Sequence, residues 1–599
     1  SNAGGAMQLG VKGGNGAETI YSAELVGTTG DLALSVEPGT ALVLRNAGTG
    51  DMRIDAVEYN DFRPIVFTDS PRQLQLYPRS EDGTAVVRIA GKVQQSGVAS
   101  LQFTMYRNGE LQRTNDVTVA ADGSFDSSFT IRAEKALYKF AYTMGSVSGV
   151  LADSVVAGDV YVIAGQSNGA ASASGNPGVT NAYWRNFGCV QKTEVYNPAD
   201  TLWGLSNSAG WGYGRAFYNG YSGYVLQREL LESQGIPTAV LNIAIGGSSL
   251  NQNLPNPSNR EDLSTFYGEG LYRLRKSGLA EHVKAIIWVQ GESDQNGLYE
   301  DYGVRLEKLY QAWKEDYPNV KRVYISQINV GCGTSTYASE IREIQRRMSA
   351  AHDDITVITN IGIPIRYDSC HYLDEGYERL YGQYARLIEQ DFYGKSISKG
   401  MYSPNVKSVN WTDESHSAIA IRFDQEMVWP APMWGRDMKD YFYNENEERI
   451  VVNRGYVDNT DGHCVVLELA PGQRPTHLTY GPDNYVYSST RGMDTLYVDP
   501  WLRNAEGYAA LTFDRYPIAE ASVLSYEVIE GQHFVRVEGD MLLAESLKGI
   551  DSIEVYSPSG VLCAKATTYA CPLKNIARGI YAARVRMQNG EAITCKFVY

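Results

Sequence analysis

Hydrophobic and polar positions alternate with a period of two along most of this chain, and the period changes only in its middle third. From about residue 15 to 65, runs such as Ala41-Leu-Val-Leu-Arg45 and Met52-Arg-Ile-Asp-Ala-Val-Glu58 are separated by Gly-rich turns. That is the signature of half-buried strands. From about 72 to 155 the pattern continues in Ala85–Ala90, Ser100–Tyr106 and Ser124–Ile131, with Arg107-Asn-Gly-Glu110 as a hairpin turn. Between about 156 and 395, apolar runs at Val160–Ala164, Thr238–Ile245, Ala285–Val289, Arg322–Ile328 and Ile355–Thr359 alternate with other stretches. Gly223–Ser233, Tyr302–Glu315, Ala338–Ala350 and Glu375–Gln390 carry apolar residues three and four apart, the helical spacing. Strand and helix in alternation predict βαβ units on a parallel sheet. After Gly400 the period of two returns, clearest in Val406–Trp411, Ala418–Phe423 and Cys464–Leu469.

The pattern divides the chain into an α/β domain flanked by β-sandwiches. Residues 1–3 read as a tag remnant, so a native leader is expected to be missing. Residues 4–70 form an ancillary β-element like the end of a jelly roll. Residues 71–155 suggest an immunoglobulin-like sandwich. Residues 156–398 make the α/β domain, 399–520 an accessory sandwich, and 521–599 a small C-terminal sandwich. At 599 residues the chain is too long for one core.

Composition narrows the partners. With 43% hydrophobic and 20% charged residues the chain reads as globular, and no apolar run approaches the roughly 20 residues that span a bilayer. A net charge of −16 argues against nucleic acid or an anionic membrane as the main partner. The 42 tyrosines suit contact with carbohydrate through aromatic faces, or equally a Tyr-rich core. The seven cysteines form no CxxC pair and do not cluster with histidine at ligand spacing, so no metal or other cofactor is expected. Buried free thiols are the expectation, with Cys563 and Cys571 close enough in sequence to form a short loop.

Four stretches at predicted strand ends carry chemistry, as a nucleophile, an acid–base pair and an oxyanion hole. Val160-Tyr-Val-Ile-Ala-Gly-Gln-Ser-Asn168 ends a buried strand at Gly165 and presents Ser167, where ligands collect in an open α/β sheet. Asp368-Ser-Cys-His371 places a carboxylate three residues from an imidazole. An Asp accepting from Nδ1–H leaves Nε2 free as a base for Ser167. Gly246-Gly247 lets a backbone N–H approach a developing oxyanion, and Gln290, in Trp288-Val-Gln-Gly-Glu-Ser-Asp294, adds a side-chain donor. A D-x-x-H match is common by chance, and each fragment alone has an ordinary structural explanation. Their order and shared placement at strand ends favour the site.

Together these blocks resemble the SGNH hydrolase superfamily, and within it the sialate O-acetylesterase-like carbohydrate esterases. Gly165-Gln-Ser-Asn168, Trp288-x-Gln-Gly-Glu292 and Asp368-x-x-His371 carry the likeness. The resemblance implies a flavodoxin-like three-layer domain with Ser167 as nucleophile, His371 as base and Asp368 as its orienter. It also implies an oxyanion hole from Ser167, Gly246 or Gly247, and Gln290. Gln166, Asn168 and Glu292 would support the site. Asp294 could replace or assist Asp368, though the three-residue spacing favours Asp368. The branch usually has Met where Gly169 stands, which bears on the acyl pocket. The aromatic insertion Asn176–Tyr221 offers Trp184 and Trp211 as sugar-stacking candidates, or else builds a small core of its own.

Ile553-Glu-Val-Tyr-x-x-x-Gly560, Gly579-Ile-Tyr581 and Lys596-Phe-Val598 resemble the type IX secretion sorting domain of Bacteroidetes, which implies secretion or cell-surface attachment; a periplasmic location is the other expectation. The expected activity is removal of acetyl groups from sialic acids or acetylated polysaccharide through an acetyl-serine. The rival class is a non-catalytic surface glycan-binding protein on a degenerate esterase fold. A lipid or thioester substrate is a third reading, disfavoured by the lack of an apolar lid-like helix.

Overall fold

One strand of 19 residues, β1 (Val147–Gly165), joins the first sandwich to the α/β domain in this computed structural model. Its first half pairs antiparallel with Tyr138–Met144, and its second half runs parallel between two strands of the α/β sheet. The boundary drawn from sequence at 155/156 therefore falls inside a continuous strand. The structure describes residues 6–12, 18–26, 41–46, 64–171, 178–189, 196–210, 216–295, 299–329, 337–364, 370–396, 399–433, 436–481, 500–520, 533–538, 540–546, 550–557, 561–588, 590 and 592–599. Asp368 and Trp211 lie outside them.

Residues 1–66 form a separate unit, in which Ala6–Lys12, Glu18–Val26 and Ala41–Asn46 make a three-stranded antiparallel sheet. The first sandwich sets Ile65–Asp69, Thr84–Val93 and Ser124–Arg132 against the sheet of Ser100–Arg107, Glu110–Thr118, Tyr138–Met144 and β1. Ser124–Arg132 alternates buried and exposed residue by residue, as a strand with one face on a core must. Its inward Phe125 and Phe129 meet Phe103 and Phe140.

The α/β domain adds β2 (Thr180–Phe187), β3 (Thr238–Asn242), β4 (Val283–Val289), β5 (Arg322–Gln327) and β6 (Ile355–Thr359). They are hydrogen-bonded in the order β2-β3-β1-β4-β5-β6, all parallel, with Trp203–Asn207 antiparallel on the β2 edge. The helices are α1 (Ser167–Ala170), α2 (Gly220–Gln234), α3 (Phe266–Lys276), α4 (Tyr302–Asp316), α5 (Ala338–Ala351) and α6 (Asp374–Tyr393). Central strands such as β3 are buried at every position, as a parallel sheet covered on both faces requires. The order reverses at β1: later strands continue to one side through β3 and to the other through β4. That is the switch point outside which α/β sheets bind ligands.

The accessory domain is built from Val406–Trp411, Ala418–Phe423, Cys464–Leu469 and Val452–Val457, with smaller sheets beside them. Its core is not its own. Trp411, Ile419, Phe423 and Phe513 belong to one hydrophobic cluster with Tyr377, Leu380 and Tyr384 of α6. The C-terminal sandwich has a separate core around Ile553, Val555, Ala583 and Val585. Among the described residues no helix is long and apolar enough to cross a membrane.

The structure departs from the expectation of free thiols at Cys370 alone among the described cysteines. Cys370 is disulfide-bonded, whereas Cys189, Cys464, Cys563, Cys571 and Cys595 form no disulfide, so Cys563 and Cys571 do not pair.

Candidate active site

Ser167 is half-buried and opens α1 directly beyond β1. The approach of the two central strands explains the residues before it. Gly165 has φ +128°, and a β-carbon there would stand 2.1 Å from the Val289 carbonyl oxygen. Only glycine fits where β1 and β4 meet so closely. Gln166 then bonds backward and across: its N–H donates to Val289 O at 2.9 Å, and its Oε1 accepts from Gly291 N (3.2 Å) and Ser293 N (3.1 Å). The first and third sequence blocks are thus fastened by a glutamine that is 2% exposed.

Asn168 is the hub. Its buried amide donates to Glu292 Oε1 at 2.8 Å and to the Cys370 carbonyl at 3.1 Å. Tyr377 OH donates to its Oδ1 at 3.0 Å, and Tyr381 OH to its backbone oxygen at 2.8 Å. Sequence reading missed both tyrosines. Their spacing of four on α6, which puts them on one helix face, was the available signal.

His371 follows Cys370 and is half-buried. Its turn is pinned on three sides. Asn168 holds Cys370, Leu373 N–H donates to Pro364 O at 3.0 Å, and Asn360 donates to Tyr372 OH at 2.8 Å. The imidazole lies within electrostatic reach of Glu292. Burial pushes the Glu292 carboxyl above the usual carboxylate range, against the pull of the Asn168 bond and the His371 charge.

The glycine loop after β3 reaches the nucleophile. A β-carbon on Gly246 would lie 3.9 Å from Ser167 Cβ, whereas one on Gly247 would meet nothing within 4 Å. The loop is anchored by Ile245 N–H to Gly165 O (3.0 Å) and Ser248 Oγ to the same oxygen (3.1 Å). Gln290 stands behind it, wholly buried. Its amide donates to Asp294 Oδ2 (2.5 Å) and Ser248 O (3.2 Å), and Tyr302 OH donates to its Oε1 (3.2 Å). Both amide hydrogens are engaged, which leaves neither for an oxyanion in this conformation. Asp294 accepts from Gln290 and from Leu250 N–H at 2.8 Å and faces Arg305. Its work is in holding the third block.

Two positions read differently from expectation. Gly169 turns into the sheet: a β-carbon there would stand 2.9 Å from Ala244 Cβ, so packing on the β3 side accounts for its lack of a side chain. Trp184 is only 4% exposed, meets Tyr224 edge to face, and lies level with Thr238, the first residue of β3. That is the end of the sheet away from Ser167, with no open face for a sugar, so its sequence-based assignment is corrected. Trp203 is likewise buried, on Phe187. Among the described residues no group of three or more His, Cys, Asp or Glu is arranged to hold a metal.

Residues 157–390 match the family described as carbohydrate esterase, sialic acid-specific acetylesterase. This span covers β1 from its second half through most of α6, so the matched domain is the one that holds the site. In fold, the chain is similar to a carbohydrate acetylesterase from Xanthomonas citri, with a TM-score of 0.51 and 17% identity over 75% of this chain and 99% of that one. A protein from Arabidopsis thaliana aligns at TM-score 0.32 and 18% identity, over 39% of this chain and 99% of that one. No curated protein matches the chain.

Proposed function

We propose that this chain is a serine carbohydrate O-acetylesterase with an SGNH-type catalytic domain, Ser167 as nucleophile, His371 as base and Asp368 as the residue orienting it. The observation that carries the reading is the convergence on one sheet end. Ser167 stands at the switch point, Gly246 lies against it, and Asn168 ties its turn to the turn bearing His371. The family match of the same domain supports acetylated carbohydrate as the substrate.

In the proposed reaction, Ser167 Oγ attacks the acetyl carbonyl carbon while His371 takes the hydroxyl proton. The Ser167 and Gly246 N–H groups receive the oxyanion; as the first residue of a helix, Ser167 has no intrahelical partner for its N–H. Gln290 holds the glycine loop through Ser248. The intermediate collapses, His371 returns the proton to the departing sugar oxygen, and acetyl-Ser167 remains. Water, deprotonated by His371, then releases acetate. The reaction as drawn uses no cofactor.

Sialic acids and acetylated plant polysaccharides are the candidate substrates. We also place the protein outside the cytoplasm, secreted or at the cell surface; the Cys370 disulfide supports an oxidising compartment, and the C-terminal sorting-domain resemblance points the same way.

The test is hydrolysis of an aryl acetate, and acetate release from acetylated sialosides and acetylated xylan, by wild type and Ser167→Ala. The expected result is turnover lost by at least about 10³-fold in the variant. Undiminished turnover would reject the assignment, and covalent labelling of Ser167 by a serine-directed phosphonate separates an enzyme from a glycan-binding protein.

A further inference from the structure

We propose that Tyr337, backed by Tyr299, is a sugar-binding platform beside the catalytic centre. It would receive a pyranose unit of an acetylated polysaccharide next to the unit being deacetylated; the proposal rests on the esterase reading.

The two residues come from separate loops of the same sheet end. Tyr299 sits one turn ahead of α4, where its carbonyl accepts from Tyr302 N–H at 3.0 Å, and Tyr337 immediately precedes α5. These helices follow β4 and β5 and begin at the carboxyl ends of those strands, the end where Ser167 follows β1. The start of α4 is tied to the third block, where Tyr302 OH donates to Gln290 O at 3.1 Å, so the pair belongs to the sheet end that carries Ser167.

Its geometry is that of a surface. The ring centroids are 3.9 Å apart and the planes within 16° of parallel. Tyr299 packs on the domain's hydrophobic cluster, and Tyr337 lies flat against Tyr299. Both are half-buried. Stacking from behind stiffens the outer ring, so little conformational freedom is lost when a ligand settles on it. A phenol offers an apolar face for the C–H face of a pyranose and a hydroxyl for the sugar's own hydroxyls. Core packing explains Tyr299 but not a second tyrosine laid flat over it. Among the described residues of the aromatic insertion, Trp184 and Trp203 are 4% and 6% exposed and present no such face.

The experiment compares an aryl acetate with acetylated xylo-oligosaccharides of increasing length, reading kcat and KM separately. For the wild type, KM is expected to fall as the chain grows from one unit to several. For Tyr337→Ala, KM for the longer oligosaccharide should rise about tenfold with kcat little changed, the scale of one lost aromatic contact. The ratio of kcat/KM values, oligosaccharide over aryl acetate, should fall accordingly, and Tyr337→Phe should restore most of it. A ratio unmoved by Tyr337→Ala overturns the proposal, as does equal loss on both substrates, the mark of a structural role. If the alanine variant folds poorly, the wild type decides: a KM that does not depend on chain length overturns the platform. Failure of the esterase reading itself would show elsewhere, as aryl acetate turnover that survives Ser167→Ala.

Discussion

The Asn168 amide nitrogen stands 2.8 Å from Glu292 Oε1, and through the same nitrogen reaches the carbonyl before His371. One side chain thus joins the nucleophile turn, the loop after β4 and the histidine turn. Asn168→Leu keeps the volume and removes the donor, leaving a buried carboxylate oxygen and a carbonyl unpaired at about 1–3 kcal/mol each. We expect stability lowered by roughly 2–4 kcal/mol and aryl acetate kcat/KM lowered more than a hundredfold. Asn168→Asp should be worse, because it sets two carboxylates against each other. Denaturant melts and steady-state kinetics check both, and wild-type kinetics in either variant would contradict this role.

Acid should loosen the contact between α2 and α6. Arg228 donates to both Glu378 oxygens, at 3.0 and 2.5 Å, and Tyr221 OH donates at 2.6 Å. Burial pushes the Glu378 carboxyl up, but Arg228 and Tyr221 outweigh it and hold it below the usual range. A depressed folded pKa means that the contribution is complete above the unfolded value, roughly 4.3, and is lost as pH falls through the lower folded value. The pair is partly exposed, so Glu378→Gln should cost only about 1 kcal/mol at pH 7. Melts at pH 7 and pH 3 should show the gap between variant and wild type closing in acid. A constant gap would refute the charge-based account.

How much of this was legible depends on where the partners of each residue lie. Val406–Trp411, Ala418–Phe423 and Cys464–Leu469 were readable to the residue, because each is an apolar strand whose environment is written in its own residues. β2 was not recognised. Its sequence TNAYWRNF holds Arg185 and Asn186, which look like loop residues until Arg185 meets the carbonyls of Ala182, Trp184 and Ser154, and Asn186 meets Arg273 and Tyr218. α3 was missed as well, with two glycines in eleven residues. The site's blocks were visible because chemistry at a strand's carboxyl end is a local pattern. The bonds that join them, Gln166 to Gly291 or Tyr377 to Asn168, span more than 100 residues and have no local trace.

Trp184 tests the corrected reading of the aromatic insertion. Buried against Tyr224 at the far end of the sheet, it should act on folding and not on substrate. Trp184→Ala should lower stability by about 3–5 kcal/mol while leaving KM for acetylated oligosaccharide within twofold. A raised KM in a variant of normal stability would restore it as a sugar contact.

The α/β domain should not survive without the sandwich that follows it. α6 presents Tyr384, Leu387 and Ile388 to a cluster completed by Trp411, Phe423 and Phe513, so cutting the chain at 398 bares a large apolar face. Polar groups are welded across the same boundary. Gln327, wholly buried at the end of β5, donates to Thr512 O at 2.8 Å and accepts from Thr512 N–H at 2.9 Å. Arg342 on α5 donates to Thr512 Oγ1 at 3.0 Å and to Gly481 O. Removing the accessory domain leaves these groups either unpaired or newly hydrated beside exposed hydrophobic side chains, and each unpaired buried group costs about 1–3 kcal/mol. A typical domain is stable by only about 5–15 kcal/mol, so the sum is enough to unfold it. Residues 67–398 expressed alone should be insoluble, or soluble with strong binding of a hydrophobic dye, and should lack aryl acetate turnover. Residues 67–520 should keep both solubility and turnover. A cooperatively melting, active 67–398 fragment would show that the catalytic sheet carries its own core.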